Sequence, residues 1–282
     1  MNRQTKWQIV FASCLLFMGA GVSAGWTAGE EGTEDKSYSY NVGFEVYYFK
    51  YEEKDIMNET GPMYGLSGEL KWKFEDRYNS IFKVQARGAL GQVDYSSVST
   101  GSVDNISDGT FELRALGGAD FTTSNDIIFE PYMGFGYRFL SDGLGGKTST
   151  TGALGYDRKS NYFYLPFGID VAAHVNADWK VKFNAEYDLF LKGHQESELG
   201  DAIAGLDTLK NTQDSGWGVR GSIQLAKVMA NYDVFIEPFV RYWNIDQSDT
   251  KSITFSGTPI GAVGYEPDNT TIEAGAKVGM RF

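Results

Sequence analysis

The final twelve residues, Thr271 to Phe282, alternate between apolar and polar side chains, and this pattern constrains the fold more than any other feature. Successive side chains of a β-strand point to opposite faces, so a strand here has one oily face and one charged face. The charged face carries Glu273, Lys277 and Arg281. The apolar face carries Ile272, Ala274, Ala276, Val278, Met280 and Phe282.

Nine upstream segments repeat this two-faced pattern, so the sequence predicts ten strands. Their expected ranges are 38–50, 63–74, 81–93, 110–121, 127–139, 162–173, 179–192, 216–225, 233–245 and 271–282. Connections after the second, fourth, sixth and eighth strands are short. Polar stretches at 96–108, 141–156, 193–213 and 246–269 predict longer loops, and residues 52–59 a shorter polar break.

Ten alternating strands, with the last ending in an aromatic residue, resemble the small β-barrel proteins of the bacterial outer membrane. This resemblance implies an all-β, transmembrane, antiparallel up-and-down β-barrel with short periplasmic turns and longer extracellular loops. It also implies that Val278, Met280 and Phe282 form a signal read by the barrel-assembly machinery. Outer-membrane lipid and lipopolysaccharide are then the expected surroundings.

The N-terminus has the features of a secretory signal peptide. Arg3 and Lys6 precede a short apolar run, and Val22-Ser23-Ala24 suits cleavage, so we expect residues 1–24 to be removed. Residues 25–36 predict a flexible acidic N-terminal lead, and residues 37–282 the outer-membrane β-barrel.

Composition excludes several kinds of chemistry. The only cysteine, Cys14, lies within the predicted signal peptide, so the mature chain offers no thiol nucleophile, thiolate metal ligand or disulfide. Loss of Arg3 and Lys6 takes the formal net charge from −12 to −14, which argues against nucleic acid as a partner. No cofactor is expected.

The charged faces of the strands predict a lumen lined by both signs of charge. In a barrel of ten strands these long side chains are expected to cross the lumen and pair, since water-filled channels are typical of about sixteen to eighteen strands. A narrow path for ions or small solutes is the alternative. The predicted network comprises Glu45, Glu69, Lys71, Lys83, Arg87, Glu112, Arg114, Glu130, Arg138, Lys182, Glu186, Asp188, Arg220, Glu237, Arg241, Glu273 and Lys277.

Enzymatic activity is not expected. Ten-stranded outer-membrane proteases of the omptin family use paired aspartates and an Asp-His dyad at the extracellular rim. The chain offers only Asp94 and His194 near that rim, without the family's spacing, and His174 falls in a predicted periplasmic turn. The expected function is therefore a structural or surface-interaction protein, adhesin-like, whose loops contact a host or envelope ligand. A porin-like channel and an omptin-type hydrolase are the alternatives.

Two local features remain open at this level. Phe235, Phe239 and Trp243 fall on the charged face of the ninth strand, which indicates either a β-bulge or an aromatic-filled interior. Pro131 and Pro238 lie inside predicted strands, where proline removes a ladder hydrogen bond, so we expect local irregularities there.

Overall fold

The computed structural model describes residues 38–282, and the predicted signal peptide and acidic lead lie outside the described residues. A short 3-10 helix spans Leu199–Asp201, and within residues 38–282 no helix is long and apolar enough to cross a membrane. The strands are β1 (Tyr38–Glu53), β2 (Met57–Lys73), β3 (Ser80–Ser97), β4 (Gly101–Ala119), β5 (Phe121–Thr122), β6 (Ile128–Gly143), β7 (Arg158–His174), β8 (Trp179–Ser197), β9 (Leu209–Gln213), β10 (Gly216–Val228), β11 (Asp233–Ile245), β12 (Lys251–Phe255), β13 (Thr258–Gly264) and β14 (Asn269–Arg281).

Ten of these strands form a closed antiparallel barrel, which confirms the predicted fold class. The order around the barrel is β1-β2-β3-β4-β6-β7-β8-β10-β11-β14, and β14 closes it by pairing with β1. In that seam Phe44 lies opposite Val278, and the backbone N–H of Phe282 donates to the Tyr40 carbonyl at 2.9 Å. Closure leaves the membrane-spanning wall without an unpaired edge, as a bilayer requires.

Apolar side chains cover the outside of the barrel in a continuous belt. On β1, Val42, Phe44, Val46 and Tyr48 all point outward and are exposed, while Glu45 and Tyr47 between them are buried inside. Above this belt the outward positions become polar, as at Lys50. We take the belt as the membrane-spanning part of the wall. On the extracellular side it ends at Tyr48, Tyr64, Leu90, Phe111, Phe139, Phe163, Leu191, Trp217, Tyr242 and Ile272.

Several strands continue beyond the belt, so most of the predicted loops are shorter than expected, although residues 144–157 do form a loop. β3 and β4 run through most of 96–108 and meet in a turn of three residues, 98–100. β1 and β2 likewise leave only 54–56 between them. Part of 193–213 extends β8 and forms β9, and 246–269 contains the β12–β13 hairpin. Above the membrane belt the outward side chains are polar. The sequence there has no apolar lipid-facing side, so its pattern did not predict these extensions.

The register of β11 and the pairing around the two prolines are both defined in the structure. Phe235, Phe239 and Trp243 are buried inside the barrel, and β11 pairs with β14 without a register shift, so the interior is aromatic-filled and not bulged. The expected irregularities at Pro131 and Pro238 are present as gaps in the pairing with one neighbouring strand, without a register shift. The β10–β11 register skips Pro238, and the register of β6 with β4 and β5 skips Pro131. Both rings lie on the outward face.

Glycines opposite aromatic residues let large rings fit into the narrow interior. Gly136 lies opposite Tyr164, and a Cβ built there would be 2.1 Å from the tyrosine ring. The same arrangement recurs on neighbouring strand pairs, so each ring lies against a backbone that carries no side chain. The further pairs are Gly168 with Tyr132, Gly193 with Tyr162, Gly218 with Trp243 and Gly279 with Phe235.

Candidate functional site

The barrel lumen contains every residue of the predicted charge network. Alternation along each strand turns these side chains inward, and most of them are buried. In all, the lumen holds eleven Asp and Glu and twelve Lys and Arg. They are Glu45, Glu69, Glu112, Asp120, Glu130, Asp170, Glu186, Asp188, Asp233, Glu237 and Glu273 against Lys71, Lys73, Lys83, Arg87, Arg114, Arg138, Lys180, Lys182, Arg220, Arg241, Lys277 and Arg281.

Glu273 of β14 is the centre of this network. Its fully buried carboxylate lies 2.9 Å from Arg87 Nη1, 3.1 Å from Arg138 Nη2 and 3.1 Å from Arg241 Nη1. β3 and β6 supply Arg87 and Arg138 from across the lumen, so the ion pairs tie distant parts of the wall together. Charge-assisted hydrogen bonds of this kind compensate for the loss of water around each ion.

A second carboxylate, Glu112 of β4, extends the network toward β10. Arg87 Nε lies 2.6 Å from Glu112 Oε2, and Arg220 Nη2 lies 2.9 Å from Oε1. Arg220 also contacts Glu186 and Asp188 of β8, each at 2.8 Å. The guanidinium groups therefore bridge carboxylates from three strands at mid-height.

Toward the periplasmic end, lysines replace arginines as the cations. Lys83 Nζ is buried and lies 3.0 Å from Glu130 and 2.8 Å from Asp170, while Lys71 makes an ion pair with Glu130. A polar cavity of about 110 Å³ lies in this half of the lumen. That volume holds several water molecules.

Toward the extracellular end, the lumen is apolar. Buried aromatic and aliphatic side chains fill it in two clusters that the charge pattern did not predict. The first comprises Tyr47, Phe49, Tyr51, Met57, Met63, Ala89, Val93, Ile106, Leu144 and Phe239, and the second comprises Leu140, Tyr162, Tyr164, Phe190, Trp243 and Ile245. These side chains lie between the mid-lumen ion pairs and the extracellular mouth, together with buried polar side chains such as Thr110, Ser160 and Gln195.

A further set of buried charges lies at the mouth, above the membrane belt, and the sequence prediction missed it. Arg158, the first residue of β7, makes ion pairs with carboxylates of β1, β2, β6 and the segment before β14. These groups were missed because most of them lie in stretches interpreted as loops. The mouth cluster, as we call it, comprises Arg158 with Glu53, Glu59, Asp108, Asp142 and Glu266.

Burial and mutual repulsion shift the titration of the mouth cluster. Burial raises the pKa of Glu266 to about 7, although the Arg158 guanidinium opposes the shift. The pKa values of Glu59 and Asp108 are also raised, first by burial and then by the neighbouring Asp142 carboxylate. The cluster has five carboxyl groups and one arginine, so ionising every carboxyl group in a site closed to water would cost much free energy.

The candidate catalytic residues do not meet. Asp94 on β3 and His194 on β8 both point away from the lumen, and three barrel strands lie between them in the strand order. His194 contacts the Phe163 ring on the outer wall, and His174 ends β7 at the other end of the barrel. Among residues 38–282, no group of His, Cys, Asp and Glu side chains is arranged to hold a metal ion. Lys192 of β8 points outward beside the β7–β8 register shift.

Comparison with known proteins supports the fold. No family model and no curated protein sequence matches the chain. Among solved structures, the outer membrane protease OmpT from Escherichia coli superposes with a TM-score of 0.60 at 10% identity, covering 89% of this chain and 99% of that one. The translocator domain of autotransporter NalP from Neisseria meningitidis gives 0.39 at 10% identity, covering 99% and 96%. The Pseudomonas putida toluene transporter TodX gives 0.34 at 9% identity, covering 88% and 90%.

A closed wall, an apolar belt and a charged interior together define the class of protein. The chain is a ten-stranded antiparallel β-barrel of the bacterial outer membrane. Its short-turn end, where β14 finishes, faces the periplasm, and the mouth cluster faces the cell exterior.

Proposed function

We propose that this protein is a non-conducting barrel whose acidic extracellular end binds a cationic partner at the cell surface. The observation that supports this proposal is the distribution of charge along the chain. The segments above the belt, residues 50–60, 94–108, 141–159, 192–215 and 244–270, hold 18 Asp and Glu against eight Lys and Arg. The lumen is close to neutral, so nearly all the excess negative charge of the described chain lies outside the cell. Such a field attracts cations and speeds their encounter.

Polylysine binding tests this proposal. The full chain in zwitterionic lipid nanodiscs is expected to bind polylysine and to release it as the salt concentration increases. It is expected not to bind polyglutamate. Replacing the exposed Asp55, Asp104, Asp214 and Asp268 together by Asn should weaken binding severalfold. In a matched control, Glu75→Gln, Asp126→Asn and Asp178→Asn remove exposed carboxylates of the periplasmic turns and should leave binding unchanged. Equal binding by the two variants would exclude an extracellular docking surface.

The closed lumen supports the non-conducting part of the proposal. Two apolar clusters and the ion pairs around Glu273 fill much of the lumen, and the polar cavity of about 110 Å³ beside them is large enough for a few water molecules. In planar bilayers the wild-type protein should give no steady openings. A double variant, Tyr162→Ala with Trp243→Ala, removes two buried rings and should conduct ions. Its openings would show that the assay detects a path through the lumen. Steady wild-type openings would favour the alternative, a narrow solute channel.

We further propose that the protein is not a hydrolase of the omptin type. The outward and separated positions of Asp94 and His194 support this, and likeness to OmpT at 10% identity concerns the fold alone. Cleavage of a cationic peptide that is abolished by His194→Ala would refute it.

A further inference from the structure

The mouth cluster holds the last extracellular segment, residues 246–268, against the barrel. Glu266 Oε1 of that segment accepts a hydrogen bond from Tyr51 Oη at 3.0 Å and lies 3.5 Å from Arg158 Nη1. The backbone N–H of Glu266 donates to Ser248 Oγ at 2.8 Å, and the N–H of Ser248 donates to the Glu266 carbonyl at 2.9 Å. The two ends of the segment are thus joined at the residue that enters the mouth.

The geometry of the cluster requires protons. Tyr51 Oη lies 3.0 Å from Glu266 and 3.1 Å from Glu53, yet a phenol has one hydrogen to donate. One of these two contacts therefore needs a proton on a carboxyl group.

Charge counting leads to the same conclusion. Arg158 contacts Glu53 at 2.6 Å, Asp142 at 3.0 Å and Glu59 at 3.3 Å, and it is the only cation in the mouth cluster. If all five carboxyl groups ionised, the cluster would carry a net charge of −4 in a site closed to water. Protonation of some of them is what lets this arrangement persist.

We infer that residues 246–268 form a proton-dependent latch, closed while the mouth cluster retains its protons and released from Arg158 when Glu266 and its neighbours ionise. The latch operates whether or not the acidic end binds a cationic partner, so it stands apart from the proposed function. Release would separate the Glu266 end of the segment from Arg158, while the β12–β13 hairpin stays hydrogen bonded to residues 205–215.

The direction of the pH dependence follows from linkage. A carboxyl group whose pKa is higher in the closed state binds its proton more tightly there. Closure is therefore complete below the ordinary value of 4.5 and is lost as pH rises through about 7. For Glu266 alone, this difference corresponds to a change of about 300-fold in the ratio of closed to open latch. The titratable groups facing Glu266 are Tyr51, Glu53, Glu59, Asp142, Tyr156, Arg158 and Tyr162.

Spin-label distances test the latch in the full chain. Nitroxides on Tyr265→Cys, next to Glu266, and on Ser99→Cys in the β3–β4 turn, both exposed positions, are placed in a Cys14→Ser background in lipid vesicles. We expect one narrow distance at pH 5 and a second, longer population at pH 8.5, with a midpoint near the pKa of Glu266 of about 7.

Two matched variants make the result decisive, and heat-modifiable gel migration verifies that each is folded. Glu266→Gln mimics the protonated acid and should keep the short distance at both pH values. Asp246→Asn removes an exposed carboxylate at the start of the same segment and should behave as the wild type. A wild-type distance that does not change with pH, or a Glu266→Gln protein that opens like the wild type, would overturn the inference.

Discussion

At the scale of single residues, the barrel depends on carboxylates that each serve several cations. Glu273 is the clearest case, because three arginines from β3, β6 and β11 converge on one fully buried side chain. Its inward orientation follows from alternation alone. Its ion-pair partners cannot be inferred from alternation, because the pattern along one strand does not show which charges meet across the lumen.

Replacing Glu273 by Gln should lower the free energy of unfolding by about 3–5 kcal/mol, because three guanidinium groups lose their shared anion in a site closed to water. Urea unfolding in lipid vesicles, followed by tryptophan fluorescence, measures this change. The control is Glu52→Gln, which breaks a largely exposed pair with Lys50 at 2.7 Å and should cost about 0–1 kcal/mol. Similar losses in the two variants would show that Glu273 is no special centre of stability.

At the scale of strands, glycine and aromatic residues on neighbouring strands work as pairs. The chain has 34 glycines and 15% aromatic residues, and the five pairs account for part of this abundance. Where Tyr164 crosses Gly136, the ring occupies the volume in which any other residue would place its Cβ. Such pairs depend on register between strands, so alternation along one strand can place a ring inside without predicting which glycine it faces.

Gly136→Ala should destabilise the barrel by about 1–3 kcal/mol, because the added methyl group displaces the Tyr164 ring from its packed position. The matched control is Gly117→Ala on β4, where a new Cβ meets no atom within 4 Å. The same unfolding assay should give a lower free energy of unfolding for Gly136→Ala than for Gly117→Ala. If both proteins unfold together, the close approach of ring and backbone contributes nothing measurable.

At the scale of the whole molecule, assembly is expected to begin with the strand that closes the barrel. Phe282 stacks on Tyr40 with ring centroids 5.0 Å apart and lies 6.1 Å from the Tyr232 ring, so three aromatic residues join β1, β14 and the turn before β11 at the periplasmic border. Aromatic girdles at such borders are typical of outer-membrane barrels.

Phe282→Asp should reduce the amount of folded barrel in the membrane, since it places a charge at the lipid-facing end of β14. Heat-modifiable migration of cell-envelope samples on a gel measures the folded fraction. Phe282→Trp keeps an aromatic group at the border and should assemble normally. Unchanged migration of the aspartate variant would rule out a role for this residue in insertion.

The sequence by itself determined the number of membrane strands, their faces and the near-neutral lumen, because within the belt lipid and interior impose a period of two on side-chain polarity. Above the belt both environments are polar or enclosed, so that signal disappears, and only the tertiary structure revealed the extended strands and Arg158 with its carboxylates. Which cation meets which carboxylate was also decided in three dimensions, since strands far apart in the chain become neighbours only when β14 closes on β1.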